Sequence, residues 1–172
     1  LGKEIALEFS QKNYIVYCTS RKEEPLGGQG IRFLKMDITS DEDVKSVIGH
    51  IMATEGRIDV IVNNAGITLS GPTFGFSVED FKGILDTNAI GSFRILKEAL
   101  SYPEKPKKVI NITSLNGFFS FPNFGIYSAS KFAAEGLGLA LRYELGPEIQ
   151  VVNVAPGALL AESEKKDASP NS

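Results

Sequence analysis

An alternation of short apolar runs with longer segments of helical periodicity constrains this chain more than any other feature. β-prone runs lie at Tyr14–Cys18, Ile31–Met36, Ile58–Val62, Val109–Ile112 and Val151–Val154. Between them, apolar residues recur at helical steps: Leu1, Ile5 and Phe9; Val44, Val47, Ile48 and Ile51; Phe81, Ile84 and Leu85 continuing through Ile95, Leu96 and Leu100. A further long helix is expected from Tyr127 to Leu145. Such alternation specifies βαβ units, and Ile58–Val62 is apolar enough for a strand buried on both faces. The expected fold is α/β, a doubly wound parallel sheet with helices on both faces.

Local punctuation agrees with these elements. Ser40 with Asp43 and Ser77 with Asp80 resemble capping boxes, Gly56 ends one helix, and Pro103 and Pro106 break another. A loop containing Pro25, Gly27, Gly28 and Gly30 separates the first two strands. There are no internal repeats and no linker, so residues 1–160 are read as one domain and residues 161–172 as a polar tail.

Several function classes drop out. A net charge of −3 over 172 residues gives no basic footprint for nucleic acid. The longest uncharged stretch, Val109 to Ser130, is broken by Asn, Ser, Thr, Gly and Pro, so no membrane span is expected. One cysteine, Cys18, allows no intramolecular disulfide and fits a reducing, cytoplasmic setting. With His50 as the lone histidine, no metal site is expected.

In a doubly wound sheet, ligands bind beyond the carboxyl ends of the strands. The residues there are Thr19-Ser20-Arg21, Asp37-Ile38, Asn63-Asn64-Ala65-Gly66, Thr113-Ser114 and Pro156-Gly157, all small, polar or charged. Tyr127 and Lys131 stand one helical turn apart on one face. An ammonium beside a phenol favours the phenolate, which suits proton exchange with an alcohol or alkoxide. Ser114, thirteen residues before Tyr127, can bring its hydroxyl beside the phenol to bind one substrate oxygen.

Asn63-Asn64-Ala65-Gly66, Ser114, Tyr127-x-x-x-Lys131 and Pro156-Gly157, in that order and at those spacings, resemble the short-chain dehydrogenase/reductase family, from Leu1 to about Leu160. The resemblance implies a Rossmann-type sheet and hydride exchange with NAD(H) or NADP(H), interconverting an alcohol and a carbonyl. It implies Tyr127 as general acid/base, Lys131 on the nicotinamide ribose, Ser114 polarising the carbonyl, and Asn88 supporting a proton-relay water. By the same resemblance Gly2, Asp37, Ile38, Asn63, Asn64, Ala65, Gly66, Tyr127, Lys131, Pro156 and Gly157 fall at cofactor-binding positions. Ser20 and Arg21 bear on cofactor choice. An acidic residue there would take the ribose 2′-hydroxyl of NAD, whereas Arg21 accommodates a 2′-phosphate, so NADP(H) is favoured over NAD(H). The family also implies dimers or tetramers built through the Tyr127–Leu145 helix and the one containing Asn88.

The pattern departs from the family at both ends. Only Leu1-Gly2 can match the close of the family's T-G-x-x-x-G-x-G turn, with Gly2 as its third glycine, and the strand before that turn is absent. In the strand order 3-2-1-4-5-6 the missing strand belongs between Tyr14–Cys18 and Ile58–Val62. Ala161 stands where the family has a threonine. The chain therefore reads as a fragment, with a catalytically silent protein that keeps the fold for binding or assembly as the alternative to an enzyme. Phe74, Phe76, Phe118, Phe119, Phe121 and Phe124 cluster in two loops expected to line the substrate pocket, which points to an apolar substrate or to loop packing.

Overall fold

The structure is a computed structural model that describes residues 1–22 and 28–157. Pro25 and Gly27 of the first loop, and the stretch read as a polar tail at 161–172, lie outside the described residues.

Helix α1 (Gly2–Gln11) ends in a turn where Asn13 takes a left-handed conformation, with φ 62°. Tyr14 then folds back on Phe9, ring edge to ring face at 5.2 Å. That contact claims Tyr14 for the turn, and strand β1 (Val16–Ser20) starts two residues later than the apolar run Tyr14–Cys18 predicts. Strand β2 (Ile31–Lys35) pairs with it in parallel, Val16 opposite Ile31 and Ser20 opposite Lys35.

Helix α2 (Asp41–Glu55) is capped by Ser40, whose Oγ accepts from the Asp43 N–H at 3.1 Å. The return half of the capping box is missing, because the Asp43 carboxylate accepts from the Asp37 N–H at 2.8 Å instead. Gly56 closes the helix at φ 76°, a left-handed conformation that glycine adopts without steric penalty. Strand β3 (Val60–Asn63) follows.

Helix α3 (Val78–Leu85) carries the complete capping box of Ser77 and Asp80. It runs without a break into a π turn (Asp86–Ile90) and helix α4 (Gly91–Ala99). Strand β4 (Lys108–Ile112), helix α5 (Gly125–Leu145) and strand β5 (Gln150–Val154) complete the described elements.

All strand pairs are parallel, but the ladder falls into two sheets, β1-β2 and β3-β4-β5. A cavity of about 1640 Å³ lies between them, lined by Val16 to Ser20 on one side and Val60 to Asn63 on the other. The split falls where the family resemblance expects a central strand, and it leaves two facing strand edges without ladder partners among the described residues. The core forms where α2 and α4 cover β3-β4-β5. Val44, Val47, Ile48 and Ile51, the apolar face expected from periodicity, pack with Ile61, Leu96, Val109 and Val151, and Val109 is fully buried.

Candidate active site

Parallel strands deliver their following loops to one edge of the sheet, and short bonds stitch those loops together. The Thr113 N–H donates to Val154 O at 2.8 Å, and the Leu115 N–H to Pro156 O at 3.1 Å, so the Ser114 and Pro156-Gly157 segments lie side by side. Below them an asparagine ladder crosses three strands in register. Asn63 donates to Asn111 at 2.8 Å, Asn111 to Asn153 at 3.0 Å, and Asn153 to the Glu135 carboxylate of α5 at 2.9 Å. The Asn63 amide is thereby spent on the sheet. Asn111, Asn153 and Glu135 were not expected, although polar residues at matching depth in two apolar strands are a signal that could have found them.

Asn88 sits in the π turn and is only 5% exposed. Its Oδ1 accepts from the Ile67 N–H at 2.8 Å, and its Nδ2 donates to Ile67 O and to Ser130 Oγ, both at 2.9 Å. A buried amide so fully partnered is fixed in place. Lys131 is 6% exposed, donates to Ile112 O at 3.2 Å, and lies 5.9 Å from the centre of the Tyr127 ring. Burial pushes its ammonium below the ordinary lysine value.

Gly66 completes this convergence. A Cβ there would lie 3.4 Å from Asn88 Oδ1 and 3.6 Å from Lys131 Nζ, so the bare backbone passes between the two side chains. Tyr127 is half-buried with its ring against Phe124, centroids 6.2 Å apart. Ser114 is half-buried too, but its Oγ accepts from the Asn116 N–H at 3.2 Å. No hydrogen bond joins Ser114 to Tyr127 among the described residues. Their loop and helix are nevertheless held in contact by Gly117, where a Cβ would come within 2.9 Å of Lys131 O. Gly117 was not singled out from sequence, since a glycine after a strand reads as an ordinary turn.

Most of the remaining sequence-expected residues line the large cavity. Gly2, Ser20, Arg21, Asp37, Ile38 and Asn63 through Gly66 all line it. Pro156 and Gly157 do not, and pack instead beside Leu115. Ser20 Oγ donates to Lys22 O, while Arg21 is exposed. The Asp37 carboxylate accepts from the Thr39 N–H at 2.9 Å and the Thr39 hydroxyl at 2.7 Å. These hydrogen bonds, with a smaller contribution from Arg21, hold its carboxyl below the usual range.

This set fits a dinucleotide. Gly2 leaves the start of α1 without a side chain, against the tip of Asn64, and a helix start with bare backbone suits a phosphate. Gly66 leaves the matching room at the Lys131 end, and Arg21 offers its guanidinium near β1.

Comparison with known proteins agrees. The family profile described as short chain dehydrogenase matches residues 1–171. The 3-ketodihydrosphingosine reductase of Bacteroides thetaiotaomicron is 38% identical over 159 residues, covering 91% of this chain and 59% of that protein. The NADPH-dependent 1-acyldihydroxyacetone phosphate reductase of Schizosaccharomyces pombe is 29% identical over 172 residues, 96% of this chain and 58% of its own length. The solved structure of ElxO with NADP bound superposes with a TM-score of 0.87 at 32% identity, covering 96% of this chain and 72% of ElxO. This chain thus spans less than two thirds of the curated relatives it matches, and no helix among its described residues is long and apolar enough to cross a membrane. On its motifs, its fold and these matches, the chain belongs to the short-chain dehydrogenase family.

Proposed function

We propose that this protein is an NADPH-dependent carbonyl reductase, running in reverse as an alcohol dehydrogenase, with Tyr127 as the general acid/base. The observation that carries the reading is the convergence of Asn88, Lys131 and Gly66 beside Tyr127. Bound nicotinamide supplies the hydride. Tyr127 gives its phenolic proton to the oxygen as alkoxide character develops. Ser114 turns its hydroxyl from the Asn116 N–H to the substrate oxygen. Lys131 holds the nicotinamide ribose and keeps positive charge beside the phenol. Asn88 fixes the π turn behind Lys131 and, through the Ile67 backbone, supports the water that returns the proton.

Arg21 and Lys22 favour the 2′-phosphate of NADP(H), in keeping with an NADPH-dependent relative and an NADP-bound structural neighbour. Phe118, Phe119 and Phe121 are exposed, and their loop is tied to its neighbour by the Gly71 N–H donating to Asn123 O at 2.8 Å. An apolar carbonyl substrate suits that rim. The two relatives are named for ketones that carry an apolar chain, which supports the same class. Exposed apolar residues on α4 and α5 support a homodimer or homotetramer.

Steady-state kinetics on the intact enzyme test the reading. Tyr127→Phe is expected to lower kcat by about 10²–10⁴ while NADPH affinity stays within about twofold. Arg21→Ala is expected to weaken NADPH by about tenfold to a hundredfold, and NADH hardly at all. Near-normal turnover in the first variant, or equal loss of both cofactors in the second, contradicts it.

A further inference from the structure

The π turn does more than place Asn88. In a regular α-helix, residues seven apart align after two turns. A π turn inserts one extra residue, so here the aligned separation is eight, which is that of Asp86 and Arg94. Arg94 Nη2 accordingly donates to Asp86 Oδ1 at 2.9 Å, along its own helix.

The rest of its guanidinium reaches across to the loop between β2 and α2. Nη1 donates to Ile38 O at 2.9 Å, and Nε pairs with Asp41. The Arg94 side chain is 19% exposed, and its bonds to Ile38 O and Asp86 are partly shielded from water, whereas Asp41 stands in solvent. Its neighbour Gly91 meets the same loop, where a Cβ would lie 2.8 Å from Ile38 Cγ1. One guanidinium therefore spans three segments: the start of the π turn, the backbone of Ile38, and the first residue of α2.

We propose that Arg94 is a positioning residue for the cofactor, fixing the Asp37–Asp41 loop at a set distance from the π turn. Asp37 and Ile38 line the cavity, as does Gly66, whose Cβ position lies against Asn88 and Lys131, the nicotinamide end on the cofactor reading above. A ligand that spans both ends binds tightly only if their separation is preset, because ordering a loose loop costs affinity. Asn88 has its own three hydrogen bonds to Ile67 and Ser130 and stays in place without Arg94. The loss on removing Arg94 therefore falls on the adenosine side and on binding, not on the chemical step. Lysine offers one point charge where the planar fork makes three directed contacts, so it restores only part of the effect.

This inference rests on the cofactor reading above, and the experiment separates the two. Amide hydrogen exchange is compared for the unmutated protein, Arg94→Ala and Arg94→Lys, alongside NADPH titration and kinetics. In Arg94→Ala, amides of Asp37, Thr39 and Ser40 are expected to exchange about tenfold faster, while those of β4 and α5 keep their protection. NADPH affinity is expected to fall about tenfold with kcat within about twofold, and Arg94→Lys to lie between. Unchanged exchange in the loop, equal loss of protection in β4 and α5, or full restoration by lysine each overturns the proposal. Absence of NADPH binding by the unmutated protein would overturn the cofactor reading instead, and the exchange data would still decide the role of Arg94 in the loop.

Discussion

Lys131 illustrates what burying a charged side chain costs the fold that carries it. Its ammonium is buried with Ile112 O as its hydrogen-bond partner, and burial holds its proton affinity below the ordinary lysine value. The unfolded chain then binds this proton more tightly than the folded one, so protonation opposes folding. The penalty is fully present below the folded-state value and fades as pH rises toward the ordinary lysine range. Lys131→Met, which keeps the length and removes the charge, is expected to be more stable than the unmutated protein at pH 7 by about 0.5–2 kcal/mol. Urea unfolding at pH 7 and at about pH 10 checks this, with the advantage shrinking at the higher pH. A constant difference, or lower stability at neutral pH, contradicts it. Tyr127 and Lys131 are legible as a pair because a four-residue step on a helix is fixed geometry. The relation of Ser114 to Tyr127 is not, because it depends on how a loop packs, here on the close approach of Gly117 to Lys131 O.

Among the elements, the helices were legible to within a residue or two where periodicity and caps agree, as in α2 with Ser40 and Gly56. The stretch from Val78 to Ala99 was not, since it reads as one helix and contains a π turn. An inserted residue leaves the run of helix-compatible side chains unbroken, and only the buried Asn88 among apolar neighbours marks it. Helix α5 poses a different question. Phe132, Leu139 and Tyr143 are exposed, and at Gly136 a Cβ would meet nothing within 4 Å. Glycine inside an exposed helix costs roughly 0.5–1 kcal/mol relative to alanine, which close approach of a second helix would offset. If the proposed pairing runs through α5, Gly136→Leu is expected to abolish it in sedimentation velocity without loss of helical content. A monomeric unmutated protein, or undiminished association of the variant, would remove α5 as the pairing surface.

At the scale of the molecule, the alternation of strands and helices sufficed to set the parallel α/β architecture and the edge of the sheet where the site forms. The place of the break in the ladder came instead from the family resemblance, whose strand order has a central strand between β1 and β3. How the residues after β1, β2 and β3 line one cavity was legible only as separate motifs; their contacts, such as Gly2 against Asn64, are not encoded by spacing along the chain. The central claim is that Tyr127 protonates an oxygen while its carbon receives hydride from the cofactor. The measurement that reaches it most directly uses NADPH deuterated at the transferable position, an apolar ketone, and mass spectrometry of the alcohol formed by the intact enzyme. The account predicts one deuterium on the carbinol carbon for the unmutated protein and a product yield at least a hundredfold lower for Tyr127→Phe. Alcohol formed without deuterium on that carbon, or an equal yield from Tyr127→Phe, would contradict it.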